Sequence, residues 1–147
     1  MEEKRILIVD DDTIVLDTFK AILQSAGYIV DTAETGVEAI IKSETRYYNL
    51  ALLDIRLPNM DGIELLTRMH RWAPKTMKIM VTGYPNRDNT IASLNRGADA
   101  YIVKPVQAEE LIRVVKEKLQ EQAKAESMSQ DKVTEWIKSR VKKLEQQ

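Results

Sequence analysis

Short apolar runs alternate along the chain with stretches in which apolar residues recur at helical spacing. The runs at residues 5–9, 28–32, 50–54, 78–82 and 100–103 are apolar almost throughout, the pattern of strands buried on both faces of a parallel sheet. Between the first two, Val15, Phe19, Ile22, Leu23 and Ala26 form one helical stripe, and Gly27 stands where a glycine past the last turn stops a helix. Thr35 with Glu38, and Asp61 with Glu64, have the spacing of N-terminal caps and predict two further helices, the second turning Ile63, Leu66 and Met69 inward. A fourth helix is predicted from about Arg87 to Arg96, ended by Gly97, and a fifth after Pro105, with Glu109 and Glu110 near its positive end. Alternating strands and helices with right-handed crossovers build a doubly wound α/β sheet.

In such a sheet ligands bind outside the carboxyl ends of the strands, where the strand order reverses. Asp10, Asp11, Asp54, Thr82 and Lys104 each fall at or just past a predicted strand end. Carboxylates gathered at one point repel one another, so the grouping makes sense chiefly around a divalent cation. Asp12, the third acid of its run, is expected to cap the first helix.

Composition narrows the chemistry. With 22 Lys and Arg against 23 Asp and Glu, the formal charge of -1 gives no reason to expect a nucleic acid or an anionic membrane as a direct partner. The chain has no Cys and a single His, His70, so disulfide, thiolate-metal and His-rich metal sites are excluded. No apolar run is long enough for a signal peptide or a membrane span, and the expectation is a soluble, cytoplasmic protein. His70 reads as a surface or half-buried helix residue; Met69 and Trp72 read as packing residues.

Four motifs occur in order at matching strand ends: Ile6-Leu7-Ile8-Val9-Asp10-Asp11-Asp12, Leu53-Asp54-Ile55-Arg56-Leu57-Pro58-Asn59-Met60-Asp61-Gly62, Val81-Thr82-Gly83 and Val103-Lys104-Pro105. Together they make the chain resemble a response regulator receiver domain, the phosphoacceptor half of two-component signalling. The resemblance covers roughly residues 4–122, so residues 1–122 are expected to form the receiver domain and 123–147 a helical extension or linker. It implies a flavodoxin-like five-stranded sheet of order 2-1-3-4-5 with five helices. It also implies Asp54 as the nucleophile that takes a phosphoryl group from a sensor histidine kinase or phosphotransfer protein. Mg²⁺ would be held by Asp10, Asp11, Asp54 and the backbone carbonyl of Arg56, with Asp10 acting through water. Lys104 and Thr82 would meet the phosphoryl oxygens. Thr82 and Tyr101 would form a switch acting on the fourth helix, fifth strand and fifth helix, the surface offered to an effector. Lys104-Pro105 is a candidate cis peptide.

Arg56 and Tyr84, two residues past Asp54 and Thr82, are bulky enough to hinder the water that would hydrolyse an acyl phosphate. In the tail, Ser127 and Gln130 have cap spacing before a stripe of Val133, Ile137, Val141 and Leu144 with Trp136 beside it. That stripe is open to packing on the fifth helix, to homodimer formation or to a linker role. Two other functions compete. Asp10-x-Asp12 with Thr82 and Lys104 also resembles the haloacid dehalogenase phosphohydrolases, which leaves Asp54 and its loop unexplained; a receiver signalling by contact alone leaves the acid set without a purpose.

Overall fold

The computed structural model describes residues 3–146. Five parallel strands, β1 (Arg5–Val9), β2 (Ile29–Ala33), β3 (Leu50–Leu53), β4 (Met77–Thr82) and β5 (Ala100–Val103), lie in the order β2-β1-β3-β4-β5. They alternate with α1 (Thr13–Ser25), α2 (Gly36–Thr45), α3 (Gly62–Trp72), α4 (Arg87–Asn95) and α5 (Ala108–Glu145). Sheet, order and helix count are those expected of the flavodoxin-like fold; strand limits differ from expectation by one residue at most.

Alternate strand residues feed two apolar layers, because successive side chains point to opposite faces. Ile6 and Ile8 with Leu50, Leu52, Ile79 and Val81 pack beneath Leu16, Phe19 and Leu23 of α1 and Leu111, Val115 and Leu119 of α5. Leu7, Val9, Ala51, Leu53 and Met80 pack against Ala39 of α2 and Leu65, Leu66 and Met69 of α3 on the other side. All of these side chains are buried; at about 1.5–3 kcal/mol each this burial is the main drive for folding.

The helix ends follow the caps in the sequence. The Asp12 carboxylate accepts from the Ile14 and Val15 amides and starts α1. Thr35 accepts from Glu38, while Glu38 reaches back to the Glu34 amide instead of closing on Thr35 itself. Asp61 accepts from Glu64, whose side chain turns away to pair with Arg68. Gly27 (φ +98°) and Gly97 (φ +102°) take the left-handed backbone that ends α1 and α4 without the cost a Cβ would add.

Three expectations are corrected. Leu16, absent from the expected α1 stripe, is buried, while Ala26 is the exposed residue that ends the helix. Trp72 is 44 % exposed in a surface cleft beside Tyr47 and Tyr48, unlike its buried neighbour Met69. The tail does not begin a new helix at Ser127. α5 runs on from the receiver to Glu145, because residues 120–130 include Ala, Gln, Glu, Lys and Met, all helix formers, with no Gly or Pro to stop it. Gln122 is its last buried side chain, donating to the Asn49 and Lys75 carbonyls.

Candidate functional site

The order of strands reverses between β1 and β3, and the register Val9↔Leu53 brings the next residues, Asp10 and Asp54, side by side. The Asp54 amide donates to the Val9 carbonyl at 3.0 Å, and the Asp10 amide to Ala33 at 3.1 Å, so both acids are held by the sheet edge. On the other flank β4 and β5 are paired Thr82↔Val103, and the Lys104 amide donates to the Thr82 carbonyl at 2.9 Å. Four strand ends therefore deliver their polar residues to one rim.

Oxygens of Asp10, Asp11 and Asp54 lie within 4.8 Å of one another. Asp10 and Asp54 are buried and Asp11 is exposed, which leaves the group open to solvent on one side. Lys104 Nζ donates to Asp10 Oδ2 at 2.6 Å and stands 3.5 Å from Asp54 Oδ2. The other oxygen of Asp10 accepts from the Asp12 amide at 2.9 Å. Asp54 Oδ1 is buried with no hydrogen-bond partner among the described residues. A carboxylate oxygen in that position is poorly tolerated unless a cation or a donor meets it, and oxygen-only ligands suit Mg²⁺. The donor set fits the ion.

The electrostatics carry the same signature. Burial, reinforced by the charge of Asp10, pushes the Asp54 carboxyl up to about 6, while Lys104 pulls in the opposite direction. Burial alone would lower Lys104; its hydrogen bond to Asp10 and the nearby Asp54 and Asp10 charges reverse this and raise it. A buried carboxylate and an ammonium beside it are a framework for handling anionic oxygens.

Thr82 is fully buried at the end of β4, and its Oγ1 accepts from the Tyr84 amide at 3.0 Å. Tyr101 packs on the layer containing Met80 and Leu65, its hydroxyl buried without a partner among the described residues. The Lys104-Pro105 peptide is cis, as expected. Arg56 extends over Tyr84, with its guanidinium carbon 3.7 Å from the ring centroid. His70 is exposed on α3, away from the acids.

Gly62 closes the motif that begins at Leu53. Its amide donates to the Ile55 carbonyl at 2.6 Å, and a Cβ there would lie 1.9 Å from the Asp54 carbonyl oxygen. The loop after Asp54 therefore closes back on the backbone of Asp54, which no side chain would permit.

Residues 6–116 match the profile of the response regulator receiver domain. The chain belongs to that family. It is 38 % identical over 114 residues to the transcriptional regulatory protein ResD of Bacillus subtilis and 34 % identical over 118 residues to the transcriptional regulatory protein ZraR of Klebsiella oxytoca. The matches cover 78 % and 80 % of this chain but 47 % and 27 % of those relatives, so the receiver spans about half their length or less. Among solved structures, a CheY-like response regulator receiver domain protein of Methanospirillum hungatei is 53 % identical with a TM-score of 0.83, covering 84 % of this chain and 99 % of that one. NtrX of Brucella abortus is 29 % identical with a TM-score of 0.82, covering 87 % of this chain and 30 % of that one. The chain is thus a signalling domain of the two-component type, and the hydrolase alternative is not favoured. Receiver domains generally use Mg²⁺ at this acidic cluster. Among the described residues no helix is long and apolar enough to cross a membrane.

Proposed function

We propose that Asp54 accepts a phosphoryl group from the phosphohistidine of a sensor histidine kinase or phosphotransfer protein, and that the acyl phosphate alters the α4–β5–α5 surface read by a downstream effector. The observation that carries this reading is the buried Asp54 carboxylate with one oxygen near Lys104 and the other unpartnered, inside a group of three acids. An ionised carboxylate attacks phosphorus without a general base. The new bond joins an Asp54 oxygen to phosphorus; the P–N bond of the donor breaks, its electron pair stays on the imidazole nitrogen, and that nitrogen takes a proton from solvent.

Asp10, Asp11 and Asp54, with the Arg56 backbone carbonyl, would hold Mg²⁺, which when bound offsets the negative charge shared by carboxylate and phosphoryl oxygens. Lys104 sits within reach of the Asp54 carboxylate and offers its ammonium to a phosphoryl oxygen. Thr82 would turn its hydroxyl from the Tyr84 amide toward the phosphoryl group, and Tyr101, already packed on the inner layer, would hold the switched arrangement. Inverting a 1:99 population takes about 5.5 kcal/mol of differential stabilisation, within the reach of a few charge-assisted bonds. The reaction is stoichiometric, followed by slow self-hydrolysis, and it belongs to the cytoplasm, where kinase and effector meet.

Intact mass after incubation with MgCl₂ and acetyl phosphate tests the reading. A gain of one phosphoryl group that needs Mg²⁺ and is lost in Asp54→Asn supports it. No gain would leave signalling by contact alone, and donor turnover that depends on Asp10 rather than Asp54 would restore the hydrolase.

A further inference from the structure

Past Gln122 every described residue of α5 is exposed; Ala125, Glu126, Ser129 and Gln130 still border surface clefts beside Lys75 and Tyr47, and residues 131–145 project beyond them as roughly 22 Å of unsupported helix. A lone helix of this length is marginal in water unless an apolar face is covered. The face exists. Val133, Trp136, Ile137, Val141 and Leu144 are 48–69 % exposed and follow one another at spacings that keep them on one side. They continue the side of α5 that, nearer its start, buries Leu111, Val115 and Leu119 against the sheet.

We propose that this stripe pairs with the same stripe of a second copy, the two helices running antiparallel about a two-fold axis near Ile137. Two properties of the chain select a second copy and that direction. The first is symmetry: Val133 and Val141 stand four residues to either side of Ile137, so an antiparallel partner sets Val133 of one helix on the partner's Val141 and Ile137 on the partner's Ile137. A contact of this kind is isologous and closes on itself, leaving no free stripe for further growth.

The second is charge. Residues 138–143 carry Lys138, Arg140, Lys142 and Lys143 with no acid, whereas residues 131–136 carry Asp131 and Glu135 against one Lys132. Parallel pairing would lay four cations beside four cations. Antiparallel pairing lays them beside the acidic segment, within the distance over which charges still act at physiological salt. Arg140 already stacks its guanidinium over the Trp136 ring at 5.2 Å, keeping that charge at the edge of the stripe. The pairing does not depend on the phosphoacceptor reading.

Sedimentation of the full chain and engineered cysteines test this, the native chain having none. The expected mass is twice the 16.9 kDa of one chain in the micromolar range, returning to one chain in Ile137→Asp with the receiver's Tm unchanged. Under oxidation Ile137→Cys should cross-link to itself. Val133→Cys alone should not, because antiparallel copies hold those positions about 12 Å apart along the axis. A mixture of Val133→Cys and Val141→Cys should cross-link. Self-linking of Val133→Cys would show a parallel pair and overturn the geometry; a single-chain mass throughout, or a dimer indifferent to Ile137→Asp, would overturn the interface.

Discussion

Arg56 lies over the ring of Tyr84 at 3.7 Å, joining the loop after β3 to the loop after β4. Neither side chain belongs to the acid group, yet each stands two residues past one that does or that faces it, Asp54 and Thr82. Such a contact is worth about 0.5–2 kcal/mol, depending on how far water is excluded.

The first prediction concerns persistence of the phosphorylated state. If the stack shields the site, attack by water on the acyl phosphate would be hindered and decay should be slow. Arg56→Ala and Tyr84→Ala should each speed decay by about 3- to 10-fold, a barrier change of up to about 1.4 kcal/mol. Because either change dissolves the same stack, the double variant should decay little faster than the single ones. Loss of the phosphorylated mass with time, in Mg²⁺ after donor removal, measures this; unchanged rates would remove the shielding role.

Stability should carry the mark of Asp54. Its folded-state carboxyl is raised from 3.8 to about 6, so between those values the folded chain binds more protons than the unfolded one. The contribution of Asp54 to stability therefore falls as pH rises through that window and stays unfavourable above it. Asp54→Asn should be close to the wild type near pH 4 and more stable by roughly 1–3 kcal/mol near pH 8 without metal. Excess MgCl₂ should narrow the difference at the higher pH, since it binds the ionised wild-type site. Urea unfolding of both proteins across the range, with and without Mg²⁺, gives the comparison, and a gap independent of pH would contradict the burial argument.

Lys104 separates two properties that the acid group alone would not. Its ammonium competes with a metal for Asp10 and Asp54, but it also faces the place where phosphoryl oxygens would gather. Lys104→Ala should retain or tighten Mg²⁺ binding in calorimetric titration while cutting the rate of phosphorylation by acetyl phosphate about 100-fold, the scale for one well-placed charge. A variant that loses metal binding and phosphorylation together would mean that Lys104 holds the acids in place and does nothing more.

The acid group was legible in sequence because each acid directly follows an apolar strand, and parallel strands bring their carboxyl ends together. The register Val9↔Leu53 then leaves Asp10 and Asp54 little choice but to meet. Contacts between side chains of separate loops are not written in periodicity, which is why Arg56 and Tyr84 showed only as two bulky residues. Ser127 misled for a different reason. Cap spacing marks a helix start only where the preceding residues are not already helical, and here Ala123, Lys124, Ala125 and Glu126 carry α5 straight through. Trp72 misled because it follows Met69 by one turn, yet its position at the last turn of α3 leaves it beside a surface cleft rather than under the sheet.

Two glycines near the site make a paired prediction. At Gly62 an added Cβ would lie 1.9 Å from the Asp54 carbonyl oxygen and 2.8 Å from Ile55 Cα, both backbone atoms that cannot rotate away. At Gly36 the added Cβ would meet Met60 Sδ at 2.8 Å, the flexible end of a side chain, with Met60 Cβ and Cγ at 3.2 and 3.3 Å. Gly62→Ala must therefore displace the loop after Asp54, break the amide contact to Ile55, and destabilise by about 1–3 kcal/mol, as overpacking generally does. Moving that loop also moves the Asp54 carboxylate, so phosphorylation should fall even at temperatures where the variant remains folded. Gly36→Ala needs a new Met60 rotamer and a shift of a few tenths of an ångström at Met60 Cβ, partly offset by lower backbone entropy in the unfolded chain, so it should cost less than Gly62→Ala, about 1 kcal/mol or less, and leave phosphorylation intact. Urea midpoints and phosphorylated mass for the two variants test this: equal damage would mean that the close approach at Gly62 is not what shapes the site.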